Sequence, residues 1–172
     1  VDQYLKGNCF MTEDTSTLSI FYQGWHDYQQ LLTEVIAPLS SEQLTLCVAP
    51  QQRSIGEIVR HMIGAWARWF HELMEVGDKG FADFGKWDRE GAPTRDATAL
   101  VQGLETTWRV MQDALANWTP EDMQYSYKGE EPSHPEPFTR QWVVWHLIEH
   151  DLHHGGEVSL ILGAHGLQAP AL

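Results

Sequence analysis

Cysteine and positive charge are both scarce in this chain, and long apolar runs are missing altogether. Its two cysteines, Cys9 and Cys47, are too few for a disulfide framework and form no Cys-x-x-Cys pair. Eleven Lys and Arg stand against 24 Asp and Glu, a formal net charge of -13, and the basic residues are scattered. Sequence-independent affinity for a phosphate backbone needs clustered cations, so the charge argues against nucleic acid as a partner and equally against an anionic membrane surface. No stretch reaches the apolar length of a membrane span, and no signal peptide is visible at the N-terminus, which points to the cytoplasm. Both cysteines read as ordinary structural residues.

What the chain has is apolar and aromatic. With 172 residues, 42% of them hydrophobic, and eight tryptophans, it can fill one core and is short for two domains. From the change of character at Met11, residues 1–10 are expected to be a vector remnant, with Met11 the natural start. The expected organisation is an extension over 1–14, a helical bundle over 15–167 and a tail over 168–172.

Helical apolar spacing recurs four times. Asp14 or Ser16 can cap a first helix to about Ala37, carrying Leu18, Phe21, Trp25, Tyr28, Leu32, Val35 and Ile36 inward, with Pro38 ending it. Ser54-Ile-Gly-Glu57 is a capping box that opens a second helix to about Val76. The Gly- and Asp-rich segment from Gly77 to Pro93 reads as a loop over one end of the bundle. Thr94 or Asp96 starts a third helix with Leu100, Val101, Leu104, Trp108, Met111 and Leu115 at helical spacing. A proline-rich stretch to Pro137 leads into Thr139, the cap of a fourth helix that Gly163 and Gly166 stop. Two halves share a plan: a histidine, His61 or His146, falls seven residues after each cap. The pattern predicts an all-α four-helix bundle with long crossover connections, in which the second and fourth helices are neighbours.

The fourth helix holds four of the nine histidines. His146, His150 and His154 are four residues apart and therefore project along one stripe, with Glu157 one turn beyond and His153 beside it. Trp142, Val143, Trp145, Leu147, Ile148 and Leu152 surround them, so these imidazoles sit in an apolar setting and need protons, polar partners or a metal ion. An i, i+4 His pair supplies two convergent ligands for a zinc-, nickel- or iron-type ion, and a third from another helix leaves positions open for water or substrate. His61 is the best third candidate, with His26 and His71 as substitutes; His134 and His165 fall in expected loops. His146-Leu-Ile-Glu149-His150 also satisfies H-x-x-E-H, with Glu149 as general base, but only 22 residues follow His150, too few for the further ligand that such enzymes carry downstream.

Glu149-His-Asp-Leu-His-His-Gly-Gly-Glu-Val-Ser-Leu-Ile-Leu-Gly163, with Ser54-Ile-Gly-Glu-Ile-Val-Arg-His61 upstream, resembles the DinB/YfiT-like superfamily of metalloenzymes. The resemblance runs from about Thr15 to Leu167. It implies a four-helix bundle, often a homodimer, with a divalent metal held by one histidine of the second helix and two of the last. On this chain those fall on His61, His150 and His154, leaving His146 beside the cavity. Gly155 stands where the family commonly has arginine, and Glu157 where it has glutamine. Glu157 could orient a ligand imidazole, act as a base or become a fourth ligand.

Characterised relatives imply transfer of a low-molecular-weight thiol, bacillithiol or mycothiol, to a small electrophilic substrate. Zinc or nickel is the expected metal, with iron or manganese as alternatives, and Trp66, Trp69, Trp142 and Trp145 are candidates to line an apolar approach. The other readings are a non-catalytic metal-binding stress-response protein and a metal-dependent hydrolase with Glu149 or Glu157 as base.

Overall fold

Helices form where the apolar periodicity is unbroken and end where local chemistry stops them. A computed structural model describes residues 17–128 and 136–171, with side chains of the first helix from 19 onward. The Asp14 and Ser16 caps, Cys9 and His134 lie outside the described residues. Helix α1 (Thr17–Ile36) buries Trp25, Leu32, Val35 and Ile36 and stops ahead of Pro38. The expected inward stripe does not extend to its start, because Phe21 is 63% exposed.

Helix α2 (Ile55–Ala67) opens on the expected capping box: Ser54 Oγ accepts from Glu57 N, and Glu57 Oε2 accepts from Ser54 N at 2.8 Å. Regular α geometry was expected to continue to Val76. It gives way at Arg68–Leu73 to a wider π-helical turn, the kind of bulge often found at functional sites. Glu75 (φ 58°) and Gly77 (φ 81°) then turn the chain through the left-handed region. The segment expected as a plain loop contains a short helix, α3 (Lys79–Phe84), capped by Asp78, whose carboxylate accepts from Phe81 N at 3.0 Å. Phe81 is buried, so an apolar anchor ties this connection down against α2.

Helix α4 (Ala97–Asn117) starts at Asp96, which accepts from Ala99 N, and buries Leu100, Leu104, Trp108, Met111 and Leu115 of the expected stripe, with Val101 half-buried at its edge. Strand β1 (Ser126–Tyr127) pairs antiparallel with β2 (Phe138–Thr139), Ser126 opposite Thr139 and Tyr127 opposite Phe138. This two-residue ladder delivers the chain to Thr139, whose Oγ1 accepts from Trp142 N and opens α5 (Arg140–Ala164).

Four long helices make the bundle. Helix α2 packs against both α4 and α5, and α1 against α4, so the second and last long helices are neighbours as the repeat implies. The α5 helix is apolar on two sides. Val143, Val144, Leu147, Val158, Ile161 and Leu162 fill the core, while Trp145, Leu152 and Leu160 stand exposed. With Ile20, Phe21 and Tyr28 of α1, Trp145 and Leu152 line an apolar groove of about 510 Å³. Among the described residues no helix is long and apolar enough to cross a membrane.

Candidate metal centre

Three imidazoles from two helices meet at the α2–α5 contact. His150 and His154 are one turn apart on α5, and their ring centroids are 4.4 Å from one another. His61, midway along α2, sits 5.0 Å from the first ring and 4.9 Å from the second. Each offers a ring nitrogen within 4.8 Å of the others, and His61 Nε2 faces His150 Nε2 at 3.1 Å. The side chains of His61, His150 and His154 are 22%, 13% and 9% exposed.

The opposite nitrogen of each ring explains which one is left over. His61 Nδ1–H donates to Asp88 Oδ2 at 2.8 Å. Arg68 in turn holds Asp88 with both terminal nitrogens, at 2.6 and 3.0 Å, a two-pronged contact that fixes the carboxylate. Burial acts to raise Asp88, but the hydrogen bonds from His61 and Arg68 outweigh it and hold the carboxyl well below the usual range. His154 Nδ1–H donates to Glu157 Oε2 at 2.7 Å. His150 Nδ1 is buried and has no hydrogen-bond partner, with Asp151 Oδ1 lying 3.6 Å away.

Neutral rings whose Nδ1 carries the proton aim an Nε2 lone pair inward. Two such lone pairs facing each other at 3.1 Å repel unless a cation or a proton sits between them. A proton on His150 or His154 is disfavoured. Burial, with the neighbouring imidazoles, pushes His150 down to about 3, and burial pushes His154 down to about 4 against the pull of Glu157. Imidazole nitrogens at this spacing, two of the three rings backed by an outer carboxylate, are a donor set that suits a divalent transition metal.

Asp151 anchors the centre from inside the bundle. Fully buried, it accepts from Trp25 Nε1 at 2.7 Å, Gln29 Nε2 at 2.7 Å and Trp66 Nε1 at 2.9 Å. Burial pushes its carboxyl up to about 8, against the lowering effect of those donors. Helices α1, α2 and α5 are thereby joined at the residue next to His150.

An aromatic wall continues the site toward the start of α5. The His146 ring stacks on Trp142 at 5.0 Å and 7°, and Trp69 meets both edge-on at 5.4 and 6.1 Å. Phe138 of β2 closes on Trp142 at 5.2 Å. These side chains are half-buried, and His146 is 6.3 Å from His150, ring to ring.

Other expectations need correction. Trp66 lines no approach: it is fully buried and spends its indole N–H on Asp151. Trp145 is 59% exposed in the α1–α5 groove, away from the histidines. Glu149 points outward, 65% exposed and 3.9 Å from His146 Nδ1, which leaves it no hold on the centre. His146 is outside the converging triple, so the H-x-x-E-H arrangement is not assembled. His26 accepts from Trp108 Nε1 at 2.8 Å, His71 Nδ1–H donates to Val76 O and His165 Nε2–H to Cys47 O. His153 is exposed, its Nε2 3.5 Å from Glu157 Oε1; with His154 and Glu157 it forms a second group able to hold an ion.

Sequence reading missed Asp88, Arg68 and the role of Asp151. Asp151 did leave a signal, being a poor helix former in the middle of an apolar helix, between two histidines.

The model of the DinB family matches residues 11–172. This chain belongs to the DinB family. A DinB-like protein from Bacillus cereus has the same fold, with a TM-score of 0.65 at 19% identity over 88% of this chain and 95% of that one. A conserved protein from Enterococcus faecalis superposes with a TM-score of 0.66 at 12% identity, over 86% of this chain and 98% of its own. Identity that low carries the fold alone. No curated protein matches the chain. Family membership and the helical bundle thus agree with the fold read from periodicity.

Proposed function

We propose that this DinB family chain is a divalent-metal-dependent enzyme that transfers a low-molecular-weight thiol to a small electrophilic substrate. The observation that carries the reading is the convergence of His61, His150 and His154, with His61 Nε2 and His150 Nε2 at 3.1 Å and the Nδ1 atoms of His61 and His154 held by Asp88 and Glu157. Zinc or nickel is the first choice of ion, with iron or manganese as alternatives. Such an ion would supply Lewis acidity, lowering the pKa of a thiol placed beside it.

The chain's own groups do the rest. Neutral His150 and His154 bring no charge, so the ion's electrophilicity is not spent on its ligands. Asp88, clamped by Arg68, keeps His61 in one tautomer and one orientation. Trp69, Trp142, His146 and Phe138 offer flat apolar surface one turn from His150, suited to orienting the apolar part of an electrophile.

A hydrolase needs a free base, and nothing here favours one. Glu157 Oε2 is taken by His154, and Glu149 faces outward. The same reading places the protein in the cytoplasm and pairs two copies through the apolar α1–α5 groove, whose exposed Phe21, Trp145 and Leu152 suit burial against their equals. The direct test is conjugation of monochlorobimane with bacillithiol, mycothiol or glutathione by metal-loaded protein. Turnover with at least one thiol, lost in His150→Ala, is expected; no turnover with any of the three overturns the transferase reading.

A further inference from the structure

Once ionised, the Asp151 carboxylate is one acceptor site short of saturation, and its Oδ1 lies 3.6 Å from a buried ring nitrogen of the centre that has no hydrogen bond. In the ionised form, which a cation bound beside it favours, this carboxyl offers about four lone-pair sites. Oδ2 uses its two on Trp25 Nε1 and Gln29 Nε2, both at 2.7 Å. Oδ1 uses one on Trp66 Nε1 at 2.9 Å. Oδ1 keeps one site, and His150 Nδ1 lies 3.6 Å from it, slightly beyond hydrogen-bond reach. That nitrogen is buried and has no partner, whereas His61 and His154 each give Nδ1–H to a carboxylate.

We propose that Asp151 is the positioning residue for His150: on metal binding its Oδ1 accepts the His150 Nδ1–H, completing a third carboxylate–imidazole pair. The proposal rests on the metal reading above. Three features favour a positioning role over core filling alone. Its donors come from α1 and α2, so the carboxylate is fixed from two helices before any ion arrives. Trp25 and Trp66 are donors only, so neither can accept the His150 proton in place of Asp151. Finally, the fixed oxygen selects the tautomer that leaves Nε2 free, and Nε2 is the atom facing His61. The centre is therefore ordered from three sides: Asp88 from the α3–α4 connection, Glu157 from the far end of α5 and Asp151 from the core.

Zinc is the probe, being diamagnetic. Zinc affinity, read by competition with a chromophoric chelator, is expected to fall about 10- to 100-fold in Asp151→Asn, while far-ultraviolet circular dichroism stays native. In zinc-loaded wild-type protein, ¹⁵N-histidine NMR should show His150 bound through Nε2, its Nδ1–H hydrogen-bonded and slow to exchange with solvent. This second reading holds even if the variant fails to fold. A folded Asp151→Asn with unchanged zinc affinity overturns the proposal, as does a His150 Nδ1 that is metal-bound or exchanges freely. Failure of the wild-type protein to bind zinc, nickel, iron or manganese overturns instead the metal reading beneath it.

Discussion

Asp88 Oδ2 lies 2.8 Å from His61 Nδ1, and the same carboxylate is gripped by Arg68. The segment around Asp88 thus reaches into the centre as the orienting partner of the one candidate ligand outside α5. Asp88→Asn keeps the shape but loses the charge and can present an amide N–H to the ring. Metal affinity should drop about 10- to 100-fold, measured by chelator competition, with the helical content unchanged.

Gly155 follows His154 directly, and a Cβ there would collide with the Tyr28 hydroxyl. The phenol of α1 fills the space that any side chain at this position would need, which accounts for the glycine here. Gly155→Ala should lower stability by about 1–3 kcal/mol through overpacking. Tyr28→Phe in the same chain removes the worst of the overlap and should recover part of the loss. Denaturant midpoints of the two variants check both statements.

How much of this was legible in the sequence depends on the range of the interaction. Ser54, Asp96 and Thr139 were readable as caps because a cap is satisfied within three residues. His150 and His154 were readable as a pair because one helical turn fixes their spacing. His61 could be nominated from its place in a core-facing helix. The rest needed the fold. Trp25 and Gln29 reach Asp151 from 126 and 122 residues away, and Asp88 comes from a segment whose glycines and aspartates look like any loop. Trp66 and Trp145 were misassigned for a related reason. Aromatic spacing marks a helix face without saying whether that face meets the core, the centre or the outside.

Metal-free protein should be most stable near pH 6.5. Folding holds His150 at about 3 and His154 at about 4, against ordinary values of 6.5, so between about pH 4 and 6.5 the unfolded chain binds two protons that the native state excludes. Asp151 works the other way. Raised from 3.8 to about 8, it keeps one proton in the native state over that window and gives it up as pH climbs toward 8. Two against one leaves stability rising with pH up to 6.5 and declining above it. Urea midpoints at pH 4.5, 6.5 and 8 should peak in the middle, with a shallower acid-side rise in His150→Ala; a steady climb to pH 8 contradicts the assignment for Asp151.

Trp145 is 59% exposed in the α1–α5 groove beside Leu152. Trp145→Glu places a charge at the centre of that apolar face, where pairing of two copies would have to desolvate it. Sedimentation should report a dimer for the native chain and a monomer for the variant, with metal content the same in both.

The account depends most on a single ion held by His61, His150 and His154. Elemental analysis of the purified protein beside His150→Ala, after equal exposure to zinc and removal of free metal, tests it most directly. About one equivalent of tightly held metal per chain in the native protein, lost in the variant, is the predicted result. No bound metal in the native protein, or the same content in both, contradicts it.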